Sequence, residues 1–121
     1  MDEAEAVDPS SLLLLRQLQK PGAPDVVGRI LGRFLEETPQ RMAALHSAVE
    51  HDDARALEQA AHALKGIAGT VGANEMASIA QELEQRGRAG ATAGAQQRVE
   101  DLQAAFERAQ PILNDLRLPA S

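Results

Sequence analysis

The 121-residue sequence has no cysteine, no tryptophan and no tyrosine, and only two phenylalanines. Without cysteine there is no disulfide framework, no thiolate nucleophile and no zinc–thiolate site. The longest aliphatic run is Leu12 to Leu15, far short of the roughly 20 apolar residues that cross a bilayer. Basic residues are also in deficit, 12 against 18 acidic ones for a net charge of −6, so there is no general positive surface to neutralise nucleic-acid phosphates. The opening Met-Asp-Glu-Ala-Glu is acidic where a secretory signal is basic and then apolar, and a cytoplasmic setting is the expectation. No Gly-rich phosphate loop, Ser-His-Asp pattern or nucleotide motif is present.

What remains is rich in alanine, leucine, glutamate, glutamine and arginine, the residues helices prefer. The composition reads as all-α, and the length as one domain over residues 1–121, with residues 1–8 flexible. A short first helix is expected from about Pro9 to Gln19, capped by Asp8 and ended by Lys20-Pro21-Gly22. From about Asp25 to Glu50, Val27, Leu31, Phe34, Thr38, Met42, Leu45 and Val49 recur in steps of three and four. Pro39 predicts a kink there, or two helices meeting at Thr38-Pro39. Asp52 or Asp53 caps the next stretch, which carries Leu57, Ala60, Leu64, Ala68 and Val71. Gly72 ends it and Asn74 caps a stretch striped by Met76, Ile79, Ala80 and Leu83, followed by a small-residue loop from Gly87 to Gly94. The last helix shows Val99, Leu102, Phe106, Ala109, Leu113 and Leu116, with Pro111 a kink or an early end. Four such helices with short connections predict an up-down-up-down bundle with an additional short N-terminal helix.

On a wheel at about 100° per residue, Ala60, Ala61, Leu64, Ala68 and Val71 fall within about 60° of Leu57. His62 falls at about 140°, with Gly66 at about 180°, Gly69 at about 120° and Lys65 at about 80°. Each glycine inside a helix costs about 1 kcal/mol relative to alanine. Two on the outer face therefore point to a benefit outside the domain: with no β-carbons there, another protein's backbone can come close to the imidazole. An ordinary surface histidine near a glycine-rich helix end fits the wheel as well. His46 and His51, five apart with no carboxylate in register, make a poor metal site. Gly28 and Gly32 suit close approach of a neighbouring helix, and Glu36-Glu37 and Glu82-Glu84 read as solvated faces.

The segment Ala61-His62-Ala63-Leu64-Lys65-Gly66-Ile67-Ala68-Gly69-Thr70-Val71-Gly72-Ala73 resembles the signature of the histidine-containing phosphotransfer (HPt) domain family, His-x-Leu-Lys-Gly followed by small residues and a Gly-Ala at the helix end. The similarity extends more loosely from Phe34-Leu35-Glu36-Glu37-Thr38-Pro39 to about Glu84. It implies that His62 accepts a phosphoryl group from a receiver-domain aspartate and passes it to another receiver. Lys65 would assist electrostatically, and Gly66 and Gly69 would open the docking surface. Leu35, in the helix that flanks the histidine in the family, would be an exposed docking contact, with Phe34 in the core. Ile67 replaces a small polar residue and enlarges the patch, and Gln81 best matches the position of a side chain that orients the imidazole.

The resemblance further implies a carrier with no catalytic centre and no cofactor of its own, the Mg²⁺ for transfer sitting in the partner receiver. Its partners would be receivers of response regulators or hybrid sensor kinases, met by a monomer, with no nucleic acid and no membrane involved. Two other readings stay open on sequence: the phosphoryl-accepting domain of a chemotaxis-type histidine kinase, and a non-catalytic helical adaptor. A sensor-kinase dimerisation helix fits less well, because Ala63 and Lys65-Gly66 follow the histidine instead of an acidic residue and a later proline.

Overall fold

Two aspartates start the first helices. The Asp25 carboxylate accepts from the Gly28 N–H at 2.8 Å and the Asp53 carboxylate from the Ala56 N–H at 3.0 Å, meeting donors that a first helical turn leaves unpaired. In the computed structural model, which describes Val7, Asp8, Ser10, Leu13, Leu14, Gln17 and residues 25–117, the chain forms α1 (Val26–Glu50), α2 (Ala54–Thr70), α3 (Asn74–Arg88) and α4 (Ala95–Arg117). The connections are short, so consecutive helices must run antiparallel. Each packs on the next, and α4 closes back on α1. This is the up-down-up-down four-helix bundle that the periodicity predicts.

The stripes meet in one core. Leu31, Phe34 and Leu45 from α1, Leu57 and Leu64 from α2, Met76 and Leu83 from α3, and Leu102 and Leu113 from α4 are fully buried. Phe34 and Phe106 meet edge to face, ring centroids 5.8 Å apart and planes at 64°, a geometry that suits their quadrupoles. No helix among the described residues is long and apolar enough to cross a membrane.

Several local expectations are corrected. Of the two outcomes expected at Pro39, two meeting helices are excluded, because Val26 to Glu50 is one helix; the proline ring lies on the exposed side, where water can satisfy the carbonyl left without its N–H. Inside the same turn, the buried Thr38 hydroxyl donates to the Phe34 carbonyl at 2.6 Å. Pro111 likewise sits inside α4, which continues to Arg117. The cap of α3 is Ala73, without a side-chain bond; Asn74 instead donates from Nδ2 to the Asp8 carboxylate at 3.3 Å. Asp8 also donates its N–H to the Gly72 carbonyl at 2.7 Å, and Val7 is buried. The flexible stretch expected over residues 1–8 therefore does not include its last two. The short helix expected from Pro9 to Gln19 lies largely outside the described residues, although the Ser10 N–H does meet the Asp8 carboxylate at 3.0 Å, as a cap would. At Gly28 the atoms nearest an added β-carbon belong to its own Asp25 cap.

Two glycines fix how α2 meets α3. Gly72, at φ 76°, takes the left-handed conformation that closes α2, and the Ala73 N–H then reaches back to the Ala68 carbonyl at 2.9 Å. Gly87, expected in a loop, lies inside α3. A β-carbon on it would stand 2.6 Å from both the Ala54 carbonyl oxygen and the Glu58 nitrogen. The two backbones touch here because nothing intervenes. Alanine at position 87 would favour the isolated helix by about 1 kcal/mol, yet it must force α2 and α3 apart. Gly87→Ala is expected to destabilise the protein by about 1–2 kcal/mol net, read by urea denaturation; an unchanged or raised midpoint would contradict the close approach.

Candidate functional site

His62 lies on the outer face of α2, its side chain 70% exposed, as the wheel predicts. Beneath it is an acid expected on a solvated face. Glu84 of α3 is almost wholly buried, its side chain only 4% exposed, and its carboxylate holds three groups at once. Oε2 accepts from His62 Nδ1 at 2.7 Å and from Arg88 Nη2 at 3.0 Å. Oε1 pairs with Lys65 Nζ at 2.7 Å. Burying a carboxylate is costly unless charge and hydrogen bonds compensate, and here they do. The Lys65 ammonium, supported by His62, holds the Glu84 carboxyl below the usual carboxylate range against the opposing effect of burial. Arg88 also reaches Glu58 of α2, Nε to Oε2 at 3.3 Å.

This contact decides the tautomer. An ionised carboxylate can only accept hydrogen bonds, so Nδ1 of His62 carries the proton. The lone pair of the neutral ring is then on Nε2, the nitrogen not engaged by Glu84. The arrangement presents a nucleophilic nitrogen with a fixed negative charge behind the ring.

The surroundings of His62 are two grooves. Between α1 and α2, Ile30, Arg33, Ala63, Gly66 and Ile67 line an open, largely apolar trough that begins at the imidazole. Between α2 and α3, Arg55, Gln59, Gly87 and Arg88 line a second one. His62 belongs to both and forms the ridge between them. A β-carbon added at Gly66 or at Gly69 would meet nothing within 4 Å. These glycines serve no packing inside the domain.

The Hpt domain profile matches residues 29–111 of the chain. The chain belongs to the Hpt domain family. The crystal structure of histidine-containing phosphotransfer protein B (HptB) from Pseudomonas aeruginosa PAO1 is similar, with a TM-score of 0.85 and 27% sequence identity, over 95% of this chain and 96% of that one. Comparison with curated proteins gives no match. The work of Hpt domains, histidine phosphotransfer within a phosphorelay, is what an exposed, tautomer-fixed imidazole suits.

Among the predicted site residues of this Hpt domain, His62, Gly66 and Ile67 line the α1–α2 trough, Lys65 turns to the other side of the ring, onto Glu84 of α3, and Gly69 is exposed further along α2. Two do not join them. Gln81 is exposed, and the partner of the imidazole is Glu84, one turn later on α3. Leu35 is half-buried against the core and borders Gln110, Pro111 and Asn114 of α4; the residues of α1 that line the trough with His62 are Ile30, Arg33 and Phe34. A signal for Glu84 existed. It stands one residue after Leu83 and four after Ala80, at the edge of the buried stripe, where an acid needs a partner on the facing helix.

Glu84→Gln keeps the shape and removes the charge. With a folded carboxyl titrating below its ordinary range, the stabilisation is complete above that range and is lost as pH falls through the lower folded value. Glu84→Gln is therefore expected to cost about 1–3 kcal/mol near neutral pH. The gap to wild type should shrink as the solution is acidified to about pH 3. Urea titrations at both pH values check this; a gap independent of pH would contradict the ionised, paired carboxylate.

Proposed function

We propose that His62 is the phosphoryl acceptor of this Hpt domain, taking the group from an aspartyl phosphate on a receiver and handing it to another receiver. The Nε2 lone pair forms the N–P bond while the bond from phosphorus to the aspartate oxygen breaks, leaving its electron pair on the receiver carboxylate. The ring now carries positive charge with its proton still on Nδ1, and the Glu84 carboxylate at 2.7 Å stabilises that cation. On the return step the same protonated ring is a good leaving group: the N–P electron pair goes back to Nε2 as the next aspartate oxygen attacks. One buried carboxylate thus serves both directions.

The observation that carries this reading is the pairing of an exposed ring with a buried acid, beside a strip cleared of β-carbons at Gly66 and Gly69. Lys65 is anchored on Glu84 one turn from the ring, and in this reading it adds positive charge close to where the phosphoryl oxygens arrive. The receiver supplies the rest, including the Mg²⁺ of its acidic pocket, so the domain acts as a carrier without a catalytic centre of its own. A receiver must cover the His62 face during transfer, which suits a monomer in the cytoplasm.

The test uses a receiver labelled with radioactive phosphate and three proteins: wild type, His62→Gln and Gly66→Leu. His62→Gln is expected to take up no label. Gly66→Leu, whose side chain would project into open surface, should lose about tenfold or more in transfer rate, while phosphoramidate, a small donor, still labels it at the wild-type rate. Label on His62→Gln, or an unslowed Gly66→Leu, would overturn the assignment.

A further inference from the structure

Arg88 has no part in the transfer step described above, yet it shares an atom with it. Its Nη2 lies 3.0 Å from Oε2 of Glu84, the same oxygen that accepts from Nδ1 of His62 at 2.7 Å. An oxygen shared by two donors gives each less than it would give one alone, and a cation beside a carboxylate weakens the pull of that carboxylate on a neighbouring proton. We propose that Arg88 is a positioning residue that tunes phosphoryl acceptance by competing with the imidazole N–H for Oε2 of Glu84.

The charges around Glu84 make Arg88 the adjustable partner. From α2, Lys65 occupies the other oxygen, Oε1, and does not contend for Oε2. Glu58, also on α2, accepts from Arg88 Nε at 3.3 Å and so draws the guanidinium away from Glu84. Arg55 borders the same groove on α2 without a bond to the carboxylate. Arg88 is 64% exposed, and its groove is open, so a partner docked between α2 and α3 can reach it. An acidic group of that partner would pull Arg88 further from Oε2 and leave Glu84 to the ring alone. The inference rests on His62 being the acceptor, and it adds that the grip on the Nδ1 proton is graded by a second side chain.

The experiment is an NMR titration of the His62 ring in the full chain, paired with phosphoramidate labelling across the same pH range. In Arg88→Met the competitor and its charge are gone, so the His62 midpoint should rise by about half a pH unit, and the pH profile of labelling should move up with it. Arg88→Lys restores the charge and should return both toward wild type. Glu58→Gln frees Arg88 to bear on Glu84 and should displace both downward. An unmoved midpoint in Arg88→Met would overturn the inference, as would a midpoint that Arg88→Lys fails to restore. Failure of phosphoramidate to label wild-type His62 would instead sink the acceptor assignment, whatever the titration shows.

Discussion

A single carboxylate, buried where α3 crosses under α2, holds the functional face together. Glu84 is nearly shut off from water, and its charge is kept there by an ammonium, a guanidinium and an imidazole N–H on its two oxygens. Isolated, such a charge would favour protonation or local rearrangement. Paired, it fixes the depth of the α2–α3 contact, the rotation of the His62 ring and the nitrogen that bears the proton. The fold must bring the two helices close for this to work, and Gly87 does so by letting the α3 backbone touch the backbone at Ala54 and Glu58.

Glycine therefore plays two opposite parts within one helix pair. At Gly87 the missing β-carbon is needed inside, because the space is occupied by backbone. At Gly66 and Gly69 it is needed outside, where the space is empty and an alanine would raise helix stability by about 1 kcal/mol. A carrier whose reaction is completed by another protein keeps its reactive ring on a low, unobstructed surface and places the tuning charge underneath. The bundle core of Leu31, Phe34, Leu57, Leu83 and Leu102 gives that surface a rigid base.

Much of this is legible along the chain. The three- and four-residue steps draw the helices, and the wheel places His62, Gly66 and Gly69 on the outer side of α2 because burial follows each helix's own period. What periodicity within one helix does not carry is the register between two. Glu82, Glu84 and Gln81 look alike as polar residues on one helix, yet Glu82 pairs with Arg98 of α4, Gln81 faces solvent and Glu84 goes under His62. The position of Leu35 has the same cause: it stands at the edge of the α1 stripe, and only the packing of α1 between α2 and α4 determines that this edge borders Gln110, Pro111 and Asn114 rather than the histidine. Asn74 has the residue type of a cap, but Asp8 arrives from far along the chain and accepts from its side chain.

Everything on this face depends on one state: the neutral His62 ring carries its proton on Nδ1, facing Glu84, and keeps Nε2 free. Free imidazoles in water favour the other tautomer, so nitrogen-15 chemical shifts of the His62 ring distinguish the two directly. A protonated, pyrrole-type Nδ1 with a pyridine-type Nε2 is the predicted result. A proton on Nε2 of the neutral ring would contradict the account.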